Sequence, residues 1–275
     1  MWPLDRTVAN ECLRIGRHAV ERWKNVDGTL SLLSEHALPQ GAALQPQHVT
    51  EAIRVLYSIV PTAPVTLVLE SAWLPVMLVD TGPALLRAAQ VDALVRHRFG
   101  QHYSDGPDPV AGWELRIEHR AGSRHALAYG MTPRLKQTLL DAARGAGLEW
   151  AAMTPALAWG MQRLRPAKAL PRSTGWFVWS EQDRTLVAQL ASNEIVGVNA
   201  GASRVADDAS LLRLIAAEGA RLGVESTSEP IVAATWAPVP RAARSGERFI
   251  WCDARAQGRR STVPGLSTPI KRIPA

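Results

Sequence analysis

The sequence predicts a mixed α/β fold with mixed sheets, arranged in two lobes. Residues 13–38 have the pattern of three short strands joined by two tight turns. A second stretch of the same kind begins at Trp176, about halfway along the chain. Between the two halves, residues 166–174 are rich in proline and basic residues and show no periodicity, which is typical of a domain boundary.

The first half continues with a helix and a strand. Pro46 opens a predicted helix that runs to about residue 59, because Val49 and Ile53 recur at helical spacing. The β-branched run at 65–69 then predicts a buried central strand, since strands covered on both faces are almost continuously apolar.

An edge strand, a helix and a hairpin are predicted next. Residues 73–79 predict a strand in which Pro75 indicates a sheet edge or a bulge, because proline cannot donate a ladder hydrogen bond. Residues 85–103 predict a helix with one apolar side. Alternating residues at 113–119 and 125–129 predict two strands joined by a turn.

Two Thr-Pro pairs predict helix starts. Thr132 can cap a helix that has Pro133 in its first turn and that ends near Gly145. Thr154 and Pro155 repeat this pattern, so we expect them to begin the next helix.

The second half repeats the order of strands first, then helix and strand. Its predicted strands lie at 175–180, 184–190, 194–198, 231–236 and 248–252. Asp207 or Asp208 is expected to cap the intervening helix, and Gly223 to end it. We therefore divide the chain into a first lobe at 11–165 with a strand–helix insert at 65–103, a second, shortened lobe at 175–253, and a basic flexible tail at 254–275.

The composition is that of an ordinary globular protein, with 47% hydrophobic and 20% charged residues in a chain of 275. No apolar run reaches the roughly 18 residues that span a bilayer. The N-terminus does not have the pattern of a signal peptide. The two cysteines, Cys12 and Cys252, lie in apolar strand-like contexts and are expected to be buried free thiols of a cytoplasmic protein.

The net charge is +6, and much of the excess lies after Asp253, where no acidic residue follows. Such a tail could bind nucleic acid or an anionic membrane surface. The favoured interpretation is a solvated end in an arginine-rich protein, without specific nucleic-acid binding.

The order of the elements is similar to the actin-like (ribonuclease H-like) fold of sugar kinases, Hsp70 and actin, in which two related lobes flank a nucleotide cleft. Within that fold, the insert and the runs Gly-Ala-Gly-Leu-Glu at 145–149 and Thr-Pro-Ala-Leu-Ala at 154–158 resemble the PilM family and the cytoplasmic domain of GspL. Those proteins are cytoplasmic parts of the inner-membrane platforms of type IV pili and type II secretion. The resemblance covers roughly residues 11–236.

The nucleotide motifs implied by this resemblance are altered. ATP-binding members carry Asp-Ile-Gly-Ser/Thr in the first hairpin, where this chain has Arg14, Ile15, Gly16 and Arg17. An arginine can contact a phosphate, but it cannot hold the magnesium ion that the aspartate holds.

The second and third motifs are altered as well. The second Asp-Ile-Gly falls on Trp179, Ser180 and Glu181, and the Gly-Gly turn falls on Thr235 and Trp236. We therefore expect a pseudo-ATPase that is not an enzyme and has no cofactor.

The same resemblance implies partners. PilM relatives bind the N-terminal peptide of an inner-membrane partner of PilN or GspM type in a groove between the insert and the first lobe. GspL relatives bind the assembly ATPase. We expect a separate soluble scaffold in the cytoplasm that associates with the inner membrane through its partners. A homodimer is a possible form of this scaffold.

Candidate partner-binding residues lie on the predicted helix at 85–103 and beside loops. Arg96, His97 and His102 form the best polar face, although a solvated helix face would have the same composition. Trp73 and Trp113 could anchor a partner peptide, because buried aromatic anchors dominate many interfaces.

Other chemistry is not indicated. His18, His36 and His48 do not have the spacing of a metal site, and the serines lack the Gly-x-Ser-x-Gly elbow of hydrolases. Two alternatives to the scaffold stay open at this point. One is a divergent ATP-binding ATPase that uses Arg14 and Arg17, and the other is a nucleic-acid or anionic-membrane binder that uses the basic tail.

Overall fold

The computed structural model describes residues 10–27, 29–39, 45–59, 61, 63–82, 86–103, 112–164, 170–171, 174–192, 194–201, 205, 207–223, 229–236 and 249–253. Within these residues the chain forms helices and three mixed or antiparallel sheets, so the predicted α/β fold class is confirmed. The predicted tail at 254–275 and most of the predicted boundary at 166–174 lie outside the described residues.

The strands are β1 (Glu11–Ile15), β2 (Ala19–Val26), β3 (Thr29–Ala37), β4 (Val65–Leu69), β5 (Val76–Asp80), β6 (Glu114–His119), β7 (His125–Met131), β8 (Trp150–Pro155), β9 (Thr174–Ser180), β10 (Thr185–Ala191), β11 (Glu194–Gly201), β12 (Ile231–Thr235) and β13 (Phe249–Asp253). The helices are α1 (Pro46–Leu56), α2 (Ala88–Tyr103), α3 (Pro133–Gly145), α4 (Ala156–Leu164) and α5 (Asp208–Leu222).

The first five-stranded sheet has the order β3-β2-β1-β4-β8. The strands β1, β2 and β3 form an antiparallel meander, whereas β4 lies parallel to both β1 and β8. Of the five residues of β4 all but Thr66 are buried, as its apolar sequence predicts for a central strand. Residues of α1 and α3 cover one face of this sheet, where Val49, Ile53 and Leu139 pack in the same cluster as Leu67.

A separate three-stranded sheet, β5-β7-β6, carries α2 on one face. Val91, Val95 and Phe99 of α2 are buried against it. The strand β5 begins directly after Pro75 and is an edge strand, in agreement with the position of that proline. The insert predicted at 65–103 differs from the observed unit at both ends. Its first strand, β4, belongs to the large sheet, and the small sheet that follows extends to β7.

The second five-stranded sheet, β11-β10-β9-β12-β13, repeats the order of the first. Its first three strands are antiparallel, and β12 is parallel to β9 and β13. Asp207 caps α5 by accepting from the Ser210 backbone N–H, and Gly223 ends the helix with a φ of 67° in the left-handed region. The repeat predicted from the sequence is therefore present in three dimensions.

The predicted helix start at Thr154 and Pro155 is wrong. Both residues belong to β8, where they pair with Val68 and Leu69 of β4, and α4 begins at Ala156. Thr154 is buried in that ladder. Pairing with the central strand thus overrides the local capping preference of a Thr-Pro sequence.

One hydrophobic cluster joins the two large sheets. It includes Val68 from the first sheet, Leu157 and Trp159 from α4, and Phe177 and Ala234 from the second sheet. The two lobes therefore share one hydrophobic cluster at their junction, in which α4 lies between the sheets.

Candidate functional site

The turn between β1 and β2 meets the turn between β9 and β10. The Gln182 Oε1 atom accepts hydrogen bonds from the backbone N–H groups of His18 (2.7 Å) and Ala19 (3.2 Å), and its Nε2 donates to Glu21 (3.2 Å). The turn is close-packed here, because a Cβ on Gly16 would lie 2.3 Å from Gln182 Oε1 and would displace that side chain. A side chain from the second lobe therefore occupies the first-lobe turn.

The residues on either side of Gln182 also contact the first lobe. Glu181 Oε1 accepts from the Ser71 backbone N–H at 2.8 Å, and Glu181 Oε2 bonds the Ser71 hydroxyl. Asp183 forms an ion pair with Arg17 at 2.9 Å. We call residues 181–183 and their first-lobe partners the interlobe clasp.

Arg14 lies beside the clasp in a buried ion-pair triad. Its Nη1 is 3.0 Å from Glu21 Oε2, its Nη2 bonds Glu70, and its Cζ lies 5.0 Å from the ring centroid of Trp236. Arg14 is 5% exposed and Glu70 is fully buried. Arginine thus serves here as an internal countercharge.

Burial shifts the pKa values of the ionisable side chains in this region. Desolvation opposes the charge of Arg14, but the carboxylates of Glu70 and Glu21 outweigh it and raise the pKa of Arg14. Desolvation raises the pKa of Glu70 in spite of Arg14. For Glu181, burial first and the charge of Glu70 second raise the pKa to about 8. The corner therefore holds a carboxyl group that is mostly protonated at neutral pH.

Trp179 and Trp236 fill the junction of the lobes. Each is 1% exposed. The ring centroid of Trp236 lies 4.1 Å from that of Trp159 and 5.8 Å from that of Trp23. A Cβ on Gly160 would lie 2.3 Å from the ring of Trp179, so α4 packs directly on that indole.

The structure thus gathers the five positions of the degenerate nucleotide motifs at one junction, namely Arg14, the retained Gly16, Arg17, Trp179 and Trp236. Sequence reasoning missed the partners Glu21, Glu70 and Gln182, and it named Glu181 only as a replaced motif position. Glu70 directly follows the central strand β4, which is the one local signal for it, and nothing local marks Gln182.

Four of the predicted partner-binding residues lie on α2 or pack against it, and the fifth, Trp73, lies apart. Arg96, His97 and His102 are exposed on α2, and Arg96 pairs with Asp92 at 2.7 Å. Trp113 is half-buried, and its ring centroid lies 5.7 Å from that of Phe99 and 6.1 Å from that of Tyr103.

Trp73 lies elsewhere, in the first-lobe core. It is 7% exposed, and its Nε1 donates to the Gly16 carbonyl at 2.9 Å. The prediction that Trp73 anchors a partner peptide is therefore wrong. Trp73 lies in a tight turn after β4, where its indole packs inward and has no free face for a peptide.

A groove of about 500 Å³ opens between the small sheet, α3 and β8. Its apolar lining comes from Met131, Leu140, Ala143, Leu148, Trp150 and Met153. Charged residues stand at its rim, where Lys136 pairs with Glu114 at 2.5 Å. The Trp150 Nε1 is buried and has no hydrogen-bond acceptor among the described residues.

Metal and membrane sites are not evident in the described part of the chain. No three His, Cys, Asp or Glu side chains within it cluster closely enough to hold a metal ion. None of its helices combines the length and the apolar character that a membrane span needs.

No protein-family model and no curated protein sequence matches this chain. Among solved structures, it is similar to a Bacteroides thetaiotaomicron protein of unknown function with an actin-like ATPase fold, at a TM-score of 0.53 and 9% identity over 82% of this chain and 81% of that one. The chain has the actin-like fold.

Two further neighbours belong to secretion and pilus systems. The cytoplasmic domain of EpsL, an inner-membrane component of the type II secretion system of Vibrio cholerae, matches with a TM-score of 0.54 and 16% identity over 90% of this chain and 91% of that one. The PilM–PilN type IV pilus biogenesis complex matches with a TM-score of 0.50 and 14% identity over 78% of this chain and 66% of that one. The predicted resemblance is confirmed at the level of the actin-like fold.

Proposed function

We propose that this chain is a non-enzymatic scaffold in an inner-membrane assembly platform of the type IV pilus or type II secretion kind. In this role it binds a platform protein of PilN or GspM type and reaches the membrane through that partner. The filled interlobe clasp is the observation that carries the non-enzymatic part. The fold shared with the EpsL domain and with PilM–PilN supports the platform part.

The clasp competes with nucleotide at each place where a phosphate or a metal would bind. Backbone N–H groups at the first turn would have to bind phosphate, but those of His18 and Ala19 already bind Gln182. Magnesium prefers free carboxylates, whereas Glu21 and Glu70 are held by Arg14. ATP would have to break these contacts before it could bind.

The groove beside α3 is the partner site in this proposal. Its apolar lining suits the side chains of a short peptide. The occupant is the N-terminal peptide of a PilN-type inner-membrane protein, by analogy with the complex that PilM forms with PilN.

Substitution in the groove tests this function. Leu140 lines the groove and is half-buried, so Leu140→Glu places a charge there without removing a core side chain. We expect this variant to bind the PilN-type peptide at least about tenfold more weakly in titration calorimetry, the loss typical of a disrupted hot spot. Leu212→Glu is the matched control, because Leu212 is a 37% exposed leucine on α5 in the other lobe.

Two results would contradict the proposal. One is a native purification from which no PilN- or GspM-type platform subunit co-elutes. The other is equal peptide affinity for the Leu140→Glu and Leu212→Glu variants.

Nucleotide binding separates the scaffold from a divergent ATPase. In the second case Arg14 and Arg17 would have to leave their carboxylate partners and bind phosphate. We expect titration with ATP and magnesium to give no heat of binding. Micromolar affinity would favour the ATPase instead.

A further inference from the structure

The strand β3 forms a long, open edge of the first sheet. It spans nine residues and pairs with β2 on one side, and on its other side it has no strand partner among the described residues. At about 3.3 Å per residue, the edge is about 30 Å long. The backbone N–H groups and carbonyls along such an edge can pair with a further strand.

The edge has little protection against such pairing. Natural edge strands usually carry lysine, proline or inward-pointing charges that prevent it. Residues 29–34, with the sequence Thr-Leu-Ser-Leu-Leu-Ser, contain neither a charge nor a proline, and Glu35 is the first charged residue of the strand. The one protective feature is a bulge, where the register with β2 shifts between Arg22 and Trp23.

Two neighbouring leucines lie open at the bulge. Trp23 pairs with Leu32 and Arg22 pairs with Ser34, so Leu33 is the extra residue between them. Leu32 is 46% exposed and Leu33 is 48% exposed. Adjacent exposed leucines in the middle of an open edge favour contact with another apolar surface, because that contact removes them from water.

The exposed apolar surface continues onto the neighbouring elements. Arg22 pairs with Ser34 in the ladder and donates from Nη1 to the Leu56 carbonyl at 3.1 Å, so the end of α1 lies beside this part of the edge. Apart from Leu212 on α5, the large hydrophobic side chains that are exposed in the described part of the chain all belong to β2, β3 or the last turn of α1 and the residues after it, and they are Val26, Leu32, Leu33, Val55 and Ile59.

We propose that β3 is a self-association surface, at which two copies of this chain join their first sheets edge to edge. The two β3 strands run antiparallel about a twofold axis that places Leu32 of one copy opposite Leu33 of the other. In this register the uncharged residues 29–34 lie at the centre. The two Glu35 side chains, five residues apart along the paired strands, are separated by about 17 Å, so they repel each other only weakly.

A second copy is the occupant that suits this edge. A twofold axis brings the same patch to both sides of the interface, so each copy covers the exposed leucines of the other. A specific interface buries at least about 1,000 Å² in total, or about 500 Å² per copy. On an edge about 30 Å long, this requires a band about 17 Å wide, which the sheet with its side chains and the flank of α1, each about 10 Å across, provide.

This dimer leaves the groove beside α3 open. The strands β3 and β8 are opposite edges of the first sheet, and the groove lies next to β8. A dimer therefore presents two grooves, and a partner with two peptides would bind it more tightly than a single copy because the second contact is intramolecular. The inference concerns a different edge from the groove and does not rest on the proposed function.

Sedimentation velocity of the full chain tests the proposal. Between about 1 and 100 μM we expect a monomer–dimer equilibrium with a dissociation constant of micromolar order. Leu33→Lys places a charge at the centre of the interface and occurs twice in a symmetric dimer. A tenfold loss for each copy multiplies to an about hundredfold weaker dimer. Leu212→Lys is the matched control, because it changes an exposed leucine of the other lobe and should dimerise as the parent does.

Hydrogen exchange provides a readout that needs no variant. Dilution of the parent chain over the same range should speed the exchange of the β3 amides and leave those of the central strand β4 unchanged. The folding of Leu33→Lys is checked by its midpoint in urea, which should stay near that of the parent because Leu33 is not a core residue. Leu32→Lys provides a second, independent substitution in the same patch.

Three results would overturn the proposal. The first is a parent chain that stays monomeric, or whose β3 amides exchange at the same rate at every concentration. The second is a dimer that forms equally well in the Leu33→Lys and Leu212→Lys variants, since another face would then hold the copies together. The third is a monomer whose Leu33→Lys variant no longer co-purifies with a platform subunit, which would assign the edge to a strand of that partner instead.

Discussion

Replacement of Arg14 by methionine tests whether the buried triad holds the first lobe together. The variant removes the contacts of Arg14 with Glu21 and Glu70 and leaves the fully buried Glu70 without its countercharge. Removing one partner of a buried ion pair costs about 3–5 kcal/mol, so we expect a loss of that size at pH 8. Methionine fills most of the vacated volume, which keeps the cavity contribution small.

The loss should depend on pH and on Glu70. The pKa of Glu70 is already raised, and without Arg14 it rises further, so stability is retained at low pH and lost as the pH increases. We expect a smaller loss at pH 5 than at pH 8. Adding Glu70→Gln to the Arg14→Met variant removes the orphan charge and should restore at least about 2 kcal/mol.

Equilibrium unfolding in urea, followed by tryptophan fluorescence, measures these effects. Trp236, one of ten tryptophans in the chain, packs against Arg14, and the total signal reports on unfolding as a whole. The control is Arg54→Met, because Arg54 pairs with Glu51 on the surface at 74% and 51% side-chain exposure. We expect the control to cost less than about 1 kcal/mol. Equal losses for the Arg14 and Arg54 variants, or a double variant no more stable than Arg14→Met, would refute the reasoning.

Two glycine substitutions test the close packing of the lobes. Gly16→Ala places a methyl group 2.3 Å from Gln182 Oε1 and should displace that side chain from its two N–H donors. The expected loss is about 1–3 kcal/mol, and a midpoint in urea equal to that of the parent would contradict it. Gly160→Ala places its methyl 2.3 Å from the buried Trp179 ring. Because an indole cannot move aside as an amide can, we expect about 3 kcal/mol or more, or no folded protein. Gly145→Ala meets nothing within 4 Å and is the control, whose midpoint should stay near that of the parent in the same assay.

Local chemistry predicted much of the fold. The central strand at 65–69 lies where its apolar run predicts, and the cap at Asp207 and the end at Gly223 follow from side-chain and backbone preferences alone. At Thr154 and Pro155 the same kind of rule fails, because pairing with β4 decides their conformation. Preferences that act over one helical turn are visible in the sequence, whereas pairing between distant strands is not.

The clasp could be predicted only in part. The resemblance pointed to Arg14 and Arg17 as altered positions beside the retained Gly16, but it did not indicate what holds them. Glu70 and Gln182 are separated by 56 and 164 residues from their partners Arg14 and His18, and no periodicity links them. Trp73 beside a turn looked like a surface anchor, because sequence alone does not show which way an indole packs.

The hydrophobic cluster shared by the two lobes affects how the chain folds during synthesis. Its members run from Cys12 on β1 to Cys252 on β13, so the cluster closes only when almost the whole chain is present. While only the first lobe has emerged from the ribosome, Trp23, Leu157 and Trp159 lack the second-lobe side chains that cover them. Contacts of such sequence separation form slowly. Despite the two-part repeat, the packing of this junction is therefore expected to be completed only after both lobes have been synthesised.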